Sequence, residues 1–199
     1  MSETSKFYDV PAGKIAAVVT YLEMRSPPPT GEERADSRVE LRRIENPDPD
    51  WYLKLFKEIG EDLLWFGRLT IDGEDLHSLL SDPNYEVYVL RADGEDAGLL
   101  ELDFRTQEEC ELSYFGIVPS LVGSGVGRVL MSHTIEIAWS RPIRRFWLHT
   151  CTLDHPRALP FYLRAGFTAY KREIEIADDP RLTGALRRDA TPDVPIIEN

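Results

Sequence analysis

The stretch that decides the fold is 111-ELSYFGIVPSLVGSGVGRVLMSHTIEIAW-139. It reads as an apolar strand over Glu111–Val118, closed by Pro119. A tight turn follows, with glycines at alternate positions 123, 125 and 127, and then an amphipathic helix from about Gly125 to Trp139. Val126, Leu130, Ile137 and Ala138 fall near one face of a 3.6-residue period. A strand running into a glycine turn and a helix start is a device for holding phosphate. Successive backbone N–H groups converge there, and the helix N-terminus adds partial positive charge. Glycine allows the backbone approach and the positive φ that a Cβ would obstruct. A phosphate-bearing cofactor is the expectation.

The 199-residue chain suits one domain with a sizeable core. Its formal charge of −12 argues against a nucleic-acid surface and for cationic acceptors such as amines. The two cysteines, Cys110 and Cys151, show neither metal spacing nor a disulfide framework, so no metal is expected and a reducing compartment fits. No apolar signal core opens the chain and no apolar run reaches membrane-spanning length. The expectation is a cytoplasmic protein with no membrane or nucleic-acid partner, a homodimer being left open.

Working outward, Lys14–Met24 reads as a strand, Ser26–Ser37 as a proline-rich loop and Val39–Ile44 as a second strand. Asp50 is the expected N-cap of a helix through Trp51, Leu55 and Ile59. Glu61–Leu80 reads as short helical pieces interrupted at Gly67 and Gly73. Tyr85–Arg91 and Gly98–Phe104 form a hairpin about Ala92–Asp96. After the glycine helix come a strand at Phe146–Thr152, a short helix at His155–Arg164, a strand at Thr168–Ile176 and an irregular tail from Asp178. The partition is an N-terminal extension (1–38), a central domain (39–177) and a C-terminal tail (178–199).

Three phosphate loops compete for the glycine turn. A Walker loop needs Lys-Ser/Thr after its last glycine, but Arg128-Val129 follows Gly127. A Rossmann fingerprint needs a third glycine where Arg128 stands, and repeated parallel βα units where hairpin strands precede. What remains, Gly116-Ile117-Val118-Pro119 then Leu121-Val122-Gly123-Ser124-Gly125-Val126-Gly127, resembles the acyl-CoA signature Q/R-x-x-G-x-G/A of the GNAT superfamily of N-acyltransferases. The segment 155-HPRALPFYLRAGF-167 resembles the same family's C-terminal motif, matching at Ala158, Tyr162, Gly166 and Phe167, with His155 where asparagine is usual. The first motif departs at Val122, where the family carries Gln or Arg.

The resemblance implies an α/β (α+β) fold with a mixed, mostly antiparallel sheet splayed beside acetyl-CoA. It implies acetyl transfer to a primary amine, of a small molecule or a protein, by direct attack in a ternary complex. A non-catalytic acyl-CoA sensor is the rival. The implied cofactor contacts are Ile117, Val118, Val122, Gly123, Ser124, Gly125, Val126, Gly127, Arg128, His155, Ala158 and Tyr162. A lysine-like amine with a pKa of ~10.4 is about one part in a thousand neutral near pH 7, so a general base is useful. Glu111 matches the position of a catalytic glutamate in some members, the alternative being a solvated glutamate at a strand start. Tyr162 matches the tyrosine that protonates the departing thiolate, the alternative being aromatic packing. Strand alternation would put Glu111, Ser113, Phe115 and Ile117 on one face and Leu112 and Tyr114 on the other. His149 reads as a cleft-wall or core histidine, and His133 as a surface residue. Cys151 as a nucleophile is disfavoured by the family's direct transfer. Trp65-Phe66-Gly67-Arg68 reads as core or as the wall of an acceptor pocket.

Overall fold

The computed structural model describes residues 5–29 and 39–198. Residues 30–37 of the proline-rich loop expected at Ser26–Ser37 lie outside the described residues. The strands are β1 (Lys14–Met24), β2 (Val39–Ile44), β3 (Tyr85–Ala92), β4 (Glu95–Asp103), β5 (Glu109–Ile117), β6 (Arg145–Cys151) and β7 (Thr168–Asp178). The helices are α1 (Pro49–Gly60), α2 (Gly73–Leu80), α3 (Val126–Trp139) and α4 (Ala158–Arg164). One sheet runs in the order β2-β3-β4-β5-β6-β1-β7. Among the described residues every neighbouring pair is antiparallel except β5 and β6.

Local chemistry explains the element ends. The α1 cap is Asp48, not Asp50: its carboxylate accepts the Trp51 N–H at 2.9 Å, with Pro49 beginning the helix. Proline suits that first position because its missing N–H would have had no helical partner. Gly73 does not interrupt a helix but opens α2, behind an Asp72 cap that accepts from the Glu74 N–H at 2.8 Å. The β3–β4 hairpin turns through Asp93 and Gly94, both at positive φ, as a two-residue I′ turn requires.

β4 is buried from Ala97 to Leu102 because both of its faces are covered. α1 packs on the face that carries Tyr114, where Phe56 meets the Tyr114 ring edge-on at 4.8 Å. α4 packs on the face that carries Phe115, with Phe161 at 5.7 Å. Simple alternation along β5 fails at Ser113: Glu101 pairs with Tyr114, but Leu102 pairs with Leu112, so Ser113 is an extra, bulged residue. Glu111 and Tyr114 therefore share the α1 face, and Leu112 and Phe115 share the opposite one.

Two terminal segments are joined to the sheet more closely than the sequence suggested. β1 is an interior strand, hydrogen-bonded to β6 on one side and β7 on the other. The irregular tail is packed down by a buried ion pair. Arg181 Nη2 lies 2.7 Å from Asp179 Oδ2, and Arg181 Nη1 donates to the carbonyls of Ala190, Thr191 and Val194. Leu186 and Ala190 close a small apolar cluster with Ile15 and Leu64. Among the described residues no helix is long and apolar enough to cross a membrane.

Candidate active site

β5 and β6 pair only from Glu109↔Arg145 to Leu112↔Leu148, then part. A cleft of about 1200 Å³ opens at the parting, and the glycine turn, the Trp65–Arg68 segment and the β6–α4 loop also line it.

At the glycine end, Gly123 and Gly125 sit at φ +91° and +96°, which a side chain would strain. Gly127 has ordinary helical φ, and a Cβ there would only touch Ile117. Gly125 is the N-cap of α3 and no side chain caps the helix. The N–H groups of Gly123, Gly125 and Gly127 donate to no acceptor among the described residues, and all three glycines line the cleft. Arg128, Arg157 and Arg164 line the cleft without a carboxylate partner among the described residues, and the Arg128 guanidinium lies beside Gly125. Free N–H donors at a helix start, beside the Arg128 guanidinium, are a donor set that fits phosphate groups.

The cofactor contacts expected from sequence do not all reach this cleft. Ile117, Val122, His155, Ala158 and Tyr162 line it with the three glycines and Arg128. Val118, Ser124 and Val126 do not. Val118 is buried and its N–H donates to Ala97. The Ser124 hydroxyl donates to the Leu121 carbonyl and accepts the Val126 N–H, while the Val126 side chain joins the core. These three hold the turn in shape. His155 lies before α4, where its Nδ1 accepts the Arg157 N–H at 3.1 Å. The helix begins only at Ala158.

The opposite end holds the titratable groups. Burial, reinforced by the charge of Asp103, pushes the Glu111 carboxyl up to about 7, although Arg68 and Arg105 pull the other way. That places it at the working pH of a general base. Tyr162 is buried in an aromatic cage of Phe115, Phe161 and Phe167, and burial raises its phenol above the ordinary value, with Asp154 adding to the effect. Its hydroxyl has no hydrogen-bond partner among the described residues, so it is free to meet a ligand atom. Burial pushes the Cys151 thiol up to about 11, so it is not a thiolate at neutral pH. His133 is exposed on α3, 3.5 Å from Glu136.

The Trp65–Arg68 segment is both core and cleft wall. Trp65 sits so close to Gly60 and Gly116 that a Cβ at either would collide with its ring, at 2.4 and 2.8 Å. Across the cleft its indole N–H donates to Asp154 Oδ1 at 3.2 Å. Asp154 Oδ2 in turn accepts from the Thr150 hydroxyl at 2.6 Å and the Cys151 N–H at 2.8 Å. Arg68 Nη2 lies 3.1 Å from Glu101, a fully buried carboxylate that also accepts from the hydroxyls of Tyr52, at 2.6 Å, and Tyr85. The Arg68 guanidinium stacks 4.7 Å from the Tyr114 ring. The sequence reading missed Glu101 and Asp154. The signal for Glu101 was a lone carboxylate inside Leu99-Leu100-Glu101-Leu102; Asp154 had none beyond its place after β6.

Known proteins share this fold. A streptothricin acetyltransferase of Streptomyces lavendulae is 29% identical over 97 residues, which is 48% of this chain and 51% of that protein, so the chain spans about half of that relative's length. An aminoglycoside acetyltransferase from an uncultured soil metagenomic sample, solved with sisomicin, superposes with a TM-score of 0.56 at 18% identity, covering 71% of this chain and 96% of that one. A GNAT family acetyltransferase from Elizabethkingia anophelis, solved with acetyl-CoA bound, gives a TM-score of 0.53 at 16% identity, covering 68% and 80%. Residues 39–167, from β2 through the Gly166-Phe167 turn, match the acetyltransferase (GNAT) family model, and the chain belongs to that family.

Proposed function

We propose that this protein is an N-acetyltransferase that moves the acetyl group of acetyl-CoA to a primary amine of a cationic acceptor, by direct attack in a ternary complex in the cytoplasm. The observation that carries the reading is the polarity of this cleft. Free N–H groups and Arg128 line one end, and a carboxylate poised near neutrality stands at the other. The aminoglycoside and streptothricin relatives support an amine acceptor.

The bound co-substrate would supply an activated acyl thioester; the chain's residues do the rest. The N–H groups of Gly123, Gly125 and Gly127, with Arg128, hold phosphate. The apolar Val122 adds no charge there, so the backbone carries more of the binding. Glu111 takes the ammonium proton of the acceptor and frees the nitrogen lone pair. As the N–C bond forms and the C–S bond breaks, the Tyr162 hydroxyl donates its proton to sulfur, and the second proton, released by the acylated nitrogen, restores the phenol. Its raised pKa alone opposes that donation, but the same apolar cage raises the affinity of a nascent thiolate for a proton, and the difference between the two decides the cost.

The test is a panel of mono- and polyamines followed by release of free CoA thiol, with calorimetry of acetyl-CoA binding. Gly125→Glu, which strains a φ of +96° and sets a carboxylate among the N–H donors, should abolish binding. No binding by the native chain at millimolar acetyl-CoA would overturn the reading. Binding without turnover on any amine would favour a non-catalytic acyl-CoA sensor.

A further inference from the structure

β7 is the last strand of the sheet, and its outer edge carries no neighbouring strand among the described residues. Near its start a bulge leaves Tyr170 without a partner, since Tyr21 pairs with Lys171 but Leu22 with Ala169. From Lys171 to Asp178 the pairing with β1 is unbroken. Two sets of hydrogen bonds fix which way the backbone faces along that stretch. The Asp179 N–H donates to the Gly13 carbonyl, so it points into the sheet. Val18, the partner of Ile174, has both backbone groups turned to the β6 side: its N–H donates to the Thr152 hydroxyl and its carbonyl accepts the Thr152 N–H. Odd-numbered residues of β7 therefore bond inward, and Arg172, Ile174, Ile176 and Asp178 aim their N–H and carbonyl groups outward.

The same four residues share one face of the strand, because side chains alternate. Ile174 and Ile176 are 61% and 47% exposed, and Ile174 sits beside Val18, itself 40% exposed. Arg172 has no carboxylate partner among the described residues, and Asp178 is held only by Lys14 in an exposed pair. The face thus runs cation, isoleucine, isoleucine, carboxylate. Antiparallel to itself, that order is self-complementary. A two-fold axis at Glu175 sets Arg172 opposite Asp178 of the second copy and Ile174 opposite its Ile176, each pair occurring twice. Every one of these pairs also exchanges two backbone hydrogen bonds, because these are the outward-facing residues. Neighbouring registers lose the match: an axis at Ile174 opposes Glu173 to Glu175, and one at Glu173 opposes Arg172 to Ile174. The like-charged pair directly opposed in the favoured register is Glu175 with its own copy, on the other face, where the residue is exposed.

We propose that β7 is a dimerisation edge, on which two copies of this chain pair through residues 172–178 about a two-fold axis at Glu175. The Arg172–Asp178 pairs set the register, and the isoleucines of both copies, flanked by Val18, lose exposed apolar surface. Because Glu175 also lines the cleft, the axis runs beside the cleft wall of each copy. The interface does not depend on the acetyltransferase reading.

Sedimentation equilibrium of the full chain over the micromolar range should give twice the chain mass; a single-chain mass throughout would overturn the proposal. Arg172→Asp opposes two carboxylates and Asp178→Arg opposes two guanidinium groups, twice per dimer. Each should raise the dimer Kd roughly tenfold or more. The double variant Arg172→Asp/Asp178→Arg restores both pairs with their signs exchanged and should recover the native Kd, with circular dichroism checking that each variant is folded. Single variants that associate like the native chain, or a double variant no tighter than the singles, would overturn the interface. A cysteine cross-link tests the register. With the axis at Glu175, that residue and its copy form a non-hydrogen-bonded pair with Cα atoms ~4.5 Å apart, within disulfide reach. Glu175→Cys should therefore give a covalent dimer under mild oxidation well above the native chain's background, and Glu173→Cys should not. The reverse outcome, or no excess of cross-linking in Glu175→Cys, would overturn the register.

Discussion

Replacing Glu111 by glutamine should make the protein more stable and nearly inactive at once. The carboxyl titrates near 4.5 in the unfolded chain and at about 7 in the fold, so between those values the folded state binds the extra proton. Stability must then fall as pH rises, because ∂ΔG_unfold/∂pH follows the protons bound by the unfolded state minus those bound by the native one. Each unit of difference is worth about 1.4 kcal/mol, so across pH 5 to 8 the native protein should lose roughly 2–3 kcal/mol through this group alone. Glutamine does not titrate, and its ΔG should omit that loss. The assay is urea unfolding of both proteins at pH 5, 6, 7 and 8, the readout being the difference between them. Comparing differences cancels whatever contacts the amide gains or loses at fixed pH. Turnover should drop on the order of 10²–10⁴-fold, the usual contribution of a general base. A stability difference that stays flat with pH would refute the raised carboxyl, and with it the physical argument for Glu111 as base.

Three further predictions follow from named contacts. Glu101→Leu strands the Arg68 guanidinium and the hydroxyls of Tyr52 and Tyr85 without their shared acceptor, and should cost about 3–5 kcal/mol by urea unfolding; a loss below about 1 kcal/mol would show that the network is slack. Tyr162→Phe keeps the aromatic cage but removes the free hydroxyl, so kcat should fall while the acetyl-CoA Kd holds; equal kcat would remove Tyr162 from the proton path. Arg181→Ala leaves Asp179 buried and three carbonyls undonated, and should cost about 3–5 kcal/mol by the same argument. If tail packing supports the cleft, limited proteolysis of that variant should first cut within 179–198.

What the sequence made legible was local or repeated in spacing. The glycine turn, the hairpin at Asp93-Gly94 and the Ala158–Tyr162–Gly166 pattern are chemistry held within a dozen residues, and each emerged where expected. The failures are of two physical kinds. Ser113 shows the first: a bulge adds one residue to a strand without changing its composition, so alternation put Glu111 with Phe115 when it belongs with Tyr114. Asp154 and Glu101 show the second. Their roles depend on partners 89 and 49 residues away, Trp65 and Tyr52, and no local pattern encodes such a meeting.

β1 braces one wall of the parting that makes the cleft. Beyond Leu148, where β5 leaves it, β6 keeps a hydrogen-bonded neighbour on its other edge. β1 is that neighbour, pairing Val19–Met24 with Phe146–Cys151 while its own far edge carries β7. The N-terminal strand thus fixes the wall that holds His149 and Cys151, and through β7 it fixes Glu175, which lines the same cleft. The tail then ties this wall to the Trp65 segment, since Leu64, Phe66 and Leu153 pack together against Leu186 and Ala190. Both chain ends, outside the span that matches the family, brace the end of the cleft opposite the glycine turn. An acceptor preference particular to this protein should therefore be sought in β1, the 61–68 segment and the tail rather than in the turn proposed to hold the donor.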